Sequence, residues 1–375
     1  MPAKIERVQY LRAAAALFVV LAHAIGDYKS VTGVDLLPLH YLGAVGVDLF
    51  FVISGFVMVQ STGSAFGTRH AAAVFLTRRA FRIAPLYWIV MALYALLQIA
   101  QGKWHVIDAQ RITASALFFP YQAADGTMAP FYGIGWTLNY EMFFYGVFAL
   151  WLGQRRGLAL PGIAASIFAA VIAGQIVPLP QPLAYWFNAI ILDFLLGVLI
   201  AMAYERGLAI PQRFAWPLIA LGVVAVIGGG ALGFNATLPE VPTAFPRWLA
   251  WGMPAAVIVA AVTLCRSPAF ERPSWIGRWL GDTSYSMYLL HPMVIILLRK
   301  ALPAGGPFAA PWTGTWAYVA GAGHVAVVIA ITVLVSILSF TMLERPLIRL
   351  GKTAATLMER KRPLAGSRVP LKADL

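Results

Sequence analysis

Long apolar stretches alternate with short polar or Gly/Pro-rich breaks along almost the whole chain. Most of them are close to the length of about 20 residues that a helix needs to cross a bilayer. Each stretch is continuous, whereas the strands of a membrane barrel are ~10-residue segments of alternating character. The pattern therefore predicts an all-α fold, a polytopic membrane helical bundle with about ten transmembrane helices. The predicted spans are residues 11–26, 41–60, 85–100, 136–153, 159–177, 183–204, 214–233, 248–265, 284–298 and 318–343.

Composition agrees with a chain that lies mostly in lipid. Hydrophobic residues make up 60% of the 375 residues and charged residues 11%, whereas soluble domains are about 25% charged. The excess of 28 Lys and Arg over 15 Asp and Glu first indicates cytoplasmic loops in a membrane protein, so no nucleic-acid partner is expected. Cys265 is the only cysteine, which excludes an intramolecular disulfide and a multi-cysteine metal site. We expect no metal.

The basic residues fall mainly on one side of the predicted bundle. If the N-terminus is cytoplasmic, the cations on the opposite side are Lys29, Lys103, Arg111, Arg247, Arg299 and Lys300. This bias predicts a bacterial inner-membrane protein with both termini in the cytoplasm. Residues 1–350 form the predicted transmembrane domain, and residues 351–375 form a basic cytoplasmic tail that contacts membrane lipids. The start of the chain is also compatible with a cleavable signal peptide, which would remove Arg12 and His23.

Arg12 and His23 are ionisable residues within the first predicted span. An ionisable side chain near the bilayer centre costs about 2.5–3.5 kcal/mol on insertion scales, so each one suggests a functional site. Eleven residues of helix turn through about 1100°, only about 20° past three full turns, so both side chains share a face about 16 Å apart. The alternative is that Arg12 reaches the lipid headgroups and His23 contacts a neighbouring helix.

Glu141 lies a few residues into the fourth predicted span, on the side that His23 approaches from the first. A carboxylate beside an imidazole can fix its tautomer, as occurs when a histidine acts as a general base. A structural ion pair is the alternative. His291 lies about nine residues into the ninth span and is followed by Pro292; catalysis and packing are equally compatible with it. Asp193 and His324 are expected to serve helix packing.

Three arginines, Arg78, Arg79 and Arg82, stand directly before the third predicted span. Guanidinium groups suit phosphates, and three of them at a cytoplasmic interface can clamp a nucleotide diphosphate. The general bias of cations toward the cytoplasm would also place arginines here.

Taken together, these residues resemble a known family. Residues 9–12, His23 after ten intervening residues and the run Gly46-Val47-Asp48-Leu49-Phe50-Phe51-Val52-Ile53-Ser54-Gly55-Phe56 are similar to the start of the acyltransferase-3 family of bacterial membrane O-acyltransferases. Later marks follow in the same order: the arginine cluster, Trp136 to Glu141 with Tyr145, Ser284 to His291, and Leu343-Glu344-Arg345-Pro346. The opening also resembles the exopolysaccharide acetyltransferase branch.

The resemblance implies an enzyme that moves an acyl group, usually acetyl, from cytoplasmic acetyl-CoA to a carbohydrate hydroxyl. The carbohydrate acceptor would be lipid-linked or polymeric. Direct transfer and a covalent acetyl-histidine intermediate are both compatible with the sequence. A proton-coupled sugar or drug transporter is the alternative function, although paired broken helices in an inverted repeat are absent from the sequence.

Each candidate residue then receives an expected role. Arg78, Arg79 and Arg82 would hold the nucleotide phosphates of acetyl-CoA, and Arg12 would stand at the channel entrance. His23 would act as general base and Glu141 would orient it. The remaining candidates would contact substrate or stabilise the oxyanion: Ser54, Asn139, Tyr285, His291 and Trp136.

Overall fold

The computed structural model describes residues 6–37, 43–123, 126, 128–233, 244–265, 267, 274–301 and 314–360, and in these ranges it contains no β-strand. Apolar runs of this length satisfy their backbone hydrogen bonds internally only as helices. The helices are α1 (Glu6–Thr32), α2 (Val45–Thr62), α3 (Ala71–Ala100), α4 (Ala109–Ala116), α5 (Trp136–Trp151), α6 (Arg156–Ile176), α7 (Leu183–Trp186), α8 (Leu192–Glu205), α9 (Gln212–Ala231), α10 (Ala244–Arg247), α11 (Met253–Leu264), α12 (Trp275–Asp282), α13 (Ser284–Ala301), α14 (Thr315–Ser339) and α15 (Arg345–Arg360). One-turn π-helices, Trp248–Gly252 and Phe340–Glu344, join α10 to α11 and α14 to α15.

The all-α membrane fold predicted from the sequence is confirmed. Within the described residues, seven helical segments are long and apolar enough to cross a membrane. The other predicted spans correspond to α5, α8 and α13, which are shorter or carry more polar residues.

Two predicted spans differ from the helices that form. The third was predicted to begin at Pro85, but α3 begins at Ala71 and continues through Pro85; membrane helices tolerate proline where neighbouring groups satisfy the freed carbonyl. The sixth, 183–204, is interrupted between α7 and α8. There the Asn188 side chain accepts a hydrogen bond from the Ile190 amide at 3.0 Å, so it caps a new helical turn.

The centre of the bundle depends on a close contact between α2 and α8. A Cβ atom on Gly55 would lie 2.0 Å from the Phe194 carbonyl oxygen, and one on Gly197 would lie 2.0 Å from the Val52 carbonyl oxygen. Only glycine allows these backbones to approach so closely, as in small-residue packing of membrane helices. The contact fixes the position of α2, whose Ser54 belongs to the site described below.

The segment between α3 and α5 folds back on the helix bundle. The Tyr132 hydroxyl donates to the Leu289 carbonyl at 2.8 Å, and the Trp88 indole donates to the Ala116 carbonyl at 2.9 Å. Asp108 caps α4; the Arg111 backbone amide that donates to its carboxylate holds the pKa of Asp108 below its ordinary value. These contacts tie the loop to α13, which carries several site residues.

The predicted boundary at residue 350 falls inside α15. This helix packs along α3, where a Cβ on Gly351 would lie 2.4 Å from the Phe81 side chain. Lys4, Arg266, Arg272 and residues 361–375, which were part of the predicted charge distribution, lie outside the described residues.

Candidate acyl-transfer site

A cavity of about 820 Å³, including the part that opens to solvent, lies among α1, α2, α3, α5 and α13. Its wall combines aliphatic and aromatic side chains with a small number of polar groups, as ligand sites commonly do. The lining residues are Arg12, Val47, Phe50, Phe51, Ile53, Ser54, Val57, Met58, Arg79, Arg82, Ile83, Thr137, Leu138, Glu141, Tyr145, Tyr285 and Tyr288.

Three of the predicted arginines meet in this cavity. Within the described part of the chain, the guanidinium groups of Arg12 and Arg82 form neither a hydrogen bond nor an ion pair. Arg79 donates to the Ser61 hydroxyl at 2.9 Å, and its guanidinium lies 5.9 Å from the centre of the Tyr145 ring. Unpaired guanidinium groups beside a cavity are ready to bind an anion, because their N–H donors suit phosphate oxygens.

Arg78 is not among the residues that line the cavity. Its guanidinium pairs with Glu359 of α15 at 3.1 Å, and the two side chains are 44% and 49% exposed. On α3, Arg78 and Arg79 point about 100° apart and Arg82 lies between their two directions, so it is the pairing with Glu359 that distinguishes Arg78. The predicted three-arginine clamp therefore reduces to Arg79 and Arg82, with Arg12 supplied by α1.

Glu141 contacts hydroxyl groups rather than a histidine. Its Oε1 atom accepts hydrogen bonds from the Ser54 hydroxyl at 3.3 Å and from the Tyr145 hydroxyl. Among the described residues, Glu141 and His23 form no hydrogen bond or ion pair with each other. Glu141 therefore does not orient His23 through a direct contact. Its carboxylate instead contacts Ser54 on α2 and Tyr145, one turn later on its own helix.

His23 is oriented by its own helix instead. Its Nδ1 atom lies 2.9 Å from the Val19 carbonyl oxygen one turn earlier. Because a carbonyl oxygen only accepts hydrogen bonds, Nδ1 is the donor, and Nε2 carries the lone pair in the neutral ring. The ring is exposed and lies 4.8 Å from the ring of His291, centre to centre. The backbone therefore sets the tautomer that a general base needs.

A short chain of aromatic rings connects this histidine pair to the cavity. His291 lies 6.1 Å from Tyr288 between ring centres, and Tyr288 lines the cavity. The Tyr288 hydroxyl lies 2.9 Å from the Thr137 hydroxyl. His23 thus stands next to the cavity, although it is not among the residues that line it.

The other predicted site residues are placed differently. The Tyr285 hydroxyl lines the cavity but already donates to the Ile83 carbonyl at 2.8 Å, which leaves it without a proton for an oxyanion. Asn139 is buried, and Trp136 lies 6.1 Å from Tyr140, ring centre to ring centre. Neither side chain is among the described residues that line the cavity. Ser54 does line the cavity, and its hydroxyl donates to Glu141.

Two ion-pair clusters were not predicted. Both terminal N–H groups of Arg247 donate to the Asp48 carboxylate, each at 2.8 Å, and the buried Asp193 lies beside this pair. Asp27 on α1 pairs with Arg299 of α13 and lies 3.0 Å from the His324 ring nitrogen. From the sequence, Asp193 and His324 were expected to serve helix packing, but the residues that these clusters bring together are far apart in the chain. No group of three or more metal-ligating side chains occurs in the described ranges.

Together, these features define a polytopic helical membrane protein whose interior holds a cavity lined by three arginines, with the His23 imidazole two rings away from it. A family model described as an acyltransferase domain, Acyl_transf_3, matches residues 5–340. The chain belongs to this acyltransferase-3 family, and the resemblance noted in the sequence is confirmed. Membership places it among membrane acyltransferases rather than among transporters.

Relatives match over most of their length. The chain is 34% identical over 318 residues to the exopolysaccharide production protein ExoZ of Rhizobium meliloti (strain 1021), covering 83% of this chain and 91% of the relative. It is 25% identical over 362 residues to the acyltransferase MdmB of Streptomyces mycarofaciens, covering 89% and 86%. It is 26% identical over 345 residues to nodulation protein 10 of Rhizobium leguminosarum bv. viciae, covering 82% and 84%. No solved structure matches the chain significantly.

Proposed function

We propose that this protein transfers an acetyl group from cytoplasmic acetyl-CoA to a hydroxyl group of a polysaccharide precursor destined for the cell surface or for secretion. The observation that carries the proposal is the cavity lined by Arg12, Arg79 and Arg82, in which Arg12 and Arg82 form no hydrogen bond or ion pair within the described ranges. An ionisable group in a membrane is costly unless it is paired or functional. The polysaccharide acceptor is supported by the name of the relative ExoZ.

The donor would bind with its charged end among the arginines. Acetyl-CoA carries several phosphate charges at one end and a thioester at the other. Arg79 and Arg82 would hold phosphates, and Arg12 would draw the donor into the cavity. The apolar wall formed by residues such as Phe50 and Val57 suits the uncharged pantetheine arm. The termini, α15 and this mouth of the cavity would face the cytoplasm of a bacterial inner membrane.

His23 would serve as general base. It lies about 16 Å along α1 from Arg12, and its Nε2 lone pair can take the proton of an acceptor hydroxyl as the oxygen attacks the thioester carbonyl. The new ester C–O bond forms, the C–S bond breaks, and the CoA thiolate receives the proton. Glu141, with Ser54 and Tyr145, would hold polar groups beside the reacting atoms.

The direct test is acetyl-CoA turnover by purified protein in nanodiscs, read as release of free CoA with and without crude cell-envelope glycan. We expect slow release that rises with glycan. His23→Ala should abolish the glycan-dependent part, a loss of about 10²–10⁴-fold for removal of a general base.

Arg79→Ala should raise the KM for acetyl-CoA, whereas the matched control Arg78→Ala, which removes an arginine paired with Glu359, should not. A folded protein that neither binds nor consumes any acyl-CoA would contradict the proposed function.

A further inference from the structure

The cavity has two chemically different ends. Arg79 marks one of them, where it donates to the Ser61 hydroxyl near the end of α2 and lies beside the Tyr145 ring of α5. On the same α2 helix, Phe50 precedes Ser61 by about 16 Å along the helix axis. The Phe50 ring lies 6.1 Å from the Tyr288 ring, centre to centre, and both rings line the cavity. The cavity therefore runs from an arginine end at Arg79 to an aromatic end at Phe50 and Tyr288.

The two histidines lie beyond the aromatic end. His291 follows Tyr288 by one turn of α13, and the centres of these two rings are 6.1 Å apart. The His23 ring lies 4.8 Å from that of His291. A donor that binds its phosphates at the arginine end therefore places its thioester and acyl group toward the aromatic end, on the side of the histidines.

Tyr288 is a fixed part of the aromatic end. Its hydroxyl donates to the Ile134 carbonyl at 3.1 Å and lies 2.9 Å from the Thr137 hydroxyl, and the side chain is buried. The ring cannot turn aside for a larger group without breaking these hydrogen bonds, and a buried polar group that loses its partner is costly. Space at this end must therefore come from another side chain.

Phe50 is the side chain that a longer acyl group would meet. It is half-buried, and its one ring contact within the described residues is the edge-to-face contact with Tyr288. The next residue, Phe51, is buried and stacks on Phe194 at 4.4 Å between ring centres, so it is held by the bundle. Because protein interiors are close-packed, each further methylene group of an acyl chain needs space that these rings occupy.

We propose that Phe50 determines the length of the acyl group: its ring, against the fixed Tyr288, closes the aromatic end and leaves room for acetyl but not for longer chains. This inference rests on the proposed function, which places an acyl-CoA in the cavity. Donor recognition then has two separate parts. The arginine end binds the nucleotide that every acyl-CoA carries, whereas the aromatic end distinguishes one acyl group from another.

The test compares acetyl-CoA, propionyl-CoA and butyryl-CoA as donors for glycan-dependent release of CoA in nanodiscs. Ratios of kcat/KM between donors are taken within one preparation, so they do not depend on how much of a variant is folded. In the wild type, we expect each added methylene group to lower kcat/KM about 10- to 200-fold. Phe50→Leu should restore mainly propionyl-CoA, and Phe50→Ala should bring butyryl-CoA to within about 10-fold of acetyl-CoA.

Val57→Ala is the matched control. Val57 also lines the cavity, and it lies on the same face of α2 as Phe50, about 10 Å closer to the arginine end. Its substitution should change kcat/KM for the three donors equally. Wild-type ratios in Phe50→Ala, or an equal broadening in Val57→Ala, would overturn the proposal.

A third result would also overturn it. If Phe50→Ala raised the KM for glycan and kept the wild-type donor ratios, the ring would contact the acceptor and not the acyl group. Failure of the proposed function gives a different result, because a folded wild-type protein would then consume none of the three donors.

Discussion

Two sets of arginines inside the helical bundle, the buried Arg247 and the half-buried Arg12 and Arg82, differ in their contacts. Arg247, 7% exposed, forms a two-pronged ion pair with Asp48, which is 0% exposed, and lies 5.0 Å from the centre of the Trp251 ring. Arg12 and Arg82 line a cavity and have no hydrogen bond or ion pair within the described ranges. The N–H donors of Arg247 are used within the protein, whereas those of Arg12 and Arg82 face the cavity without a hydrogen-bond acceptor among the described residues. All three side chains are guanidinium groups, so what distinguishes them is the cavity beside Arg12 and Arg82.

This difference separates charges that hold helices together from charges that can bind a ligand. Removing one member of a buried pair leaves an uncompensated charge. Removing Arg12 or Arg82 breaks no hydrogen bond or ion pair and takes away only a longer-range attraction to the buried Glu344 carboxylate, so ligand binding should suffer more than stability. The two sets can therefore be distinguished by measuring stability and affinity on the same variants.

The largest effect is expected for Arg247→Met. It leaves Asp48 and the neighbouring Asp193 buried without a cation, so we expect a loss of about 3–5 kcal/mol in stability. Denaturant or thermal unfolding in a fixed detergent would measure it. Adding Asp48→Asn should recover part of the loss, because it removes one of the two carboxylates. Equal stability of Arg247→Met and wild type would show that the pair does not hold the helices together.

A smaller effect, mainly on affinity, is expected for Arg82→Gln. Loss of a charge-assisted contact of about 1.5–3 kcal/mol should raise the KM for acetyl-CoA about 10- to 100-fold. The KM for acetyl-pantetheine, which lacks the nucleotide phosphates, should stay the same, and the melting temperature should change far less than in Arg247→Met. An equal rise for both thioesters would mean that Arg82 does not bind the nucleotide end.

The smallest effect is expected at the exposed pair of Arg78 and Glu359. Because both side chains are largely exposed, Glu359→Gln should change stability by about 0–1 kcal/mol, and salt should reduce the change further. Unfolding at low and high salt would measure it. A loss of stability comparable to that of Arg247→Met would mean that the pair between α15 and α3 stabilises the protein far more than an exposed ion pair does.

The sequence was informative wherever helical periodicity decides the outcome. Apolar run length predicted the membrane helices, and the 100° turn per residue placed Arg12 and His23 on one face of α1. The same periodicity places Arg78 and Arg79 about 100° apart with Arg82 between them, but only when α3 is known to start at Ala71. Starting the helix at Pro85 left the three arginines in a loop and hid that difference.

Contacts between distant residues could not be read from the sequence. Nothing local shows that Asp48 meets Arg247, 199 positions later, and Arg247 looked like a loop cation. Glu141 and His23 were expected to meet because both lie on the same side of the membrane. Side-chain direction decides instead: Glu141 turns to Ser54 and Tyr145, and His23 bonds to the Val19 carbonyl.

The bond between Asp48 and Arg247 also has a consequence for biosynthesis. During translation α2 enters the bilayer long before Arg247 has been made, since 199 positions separate the two residues. For that interval Asp48 is a lone carboxylate in lipid, at a cost of about 2.5–3.5 kcal/mol. The nascent chain therefore holds α2 in an unfavourable state until α10 and α11 arrive. Newly made protein that stops short of residue 247 should be a preferred substrate for membrane quality-control proteases.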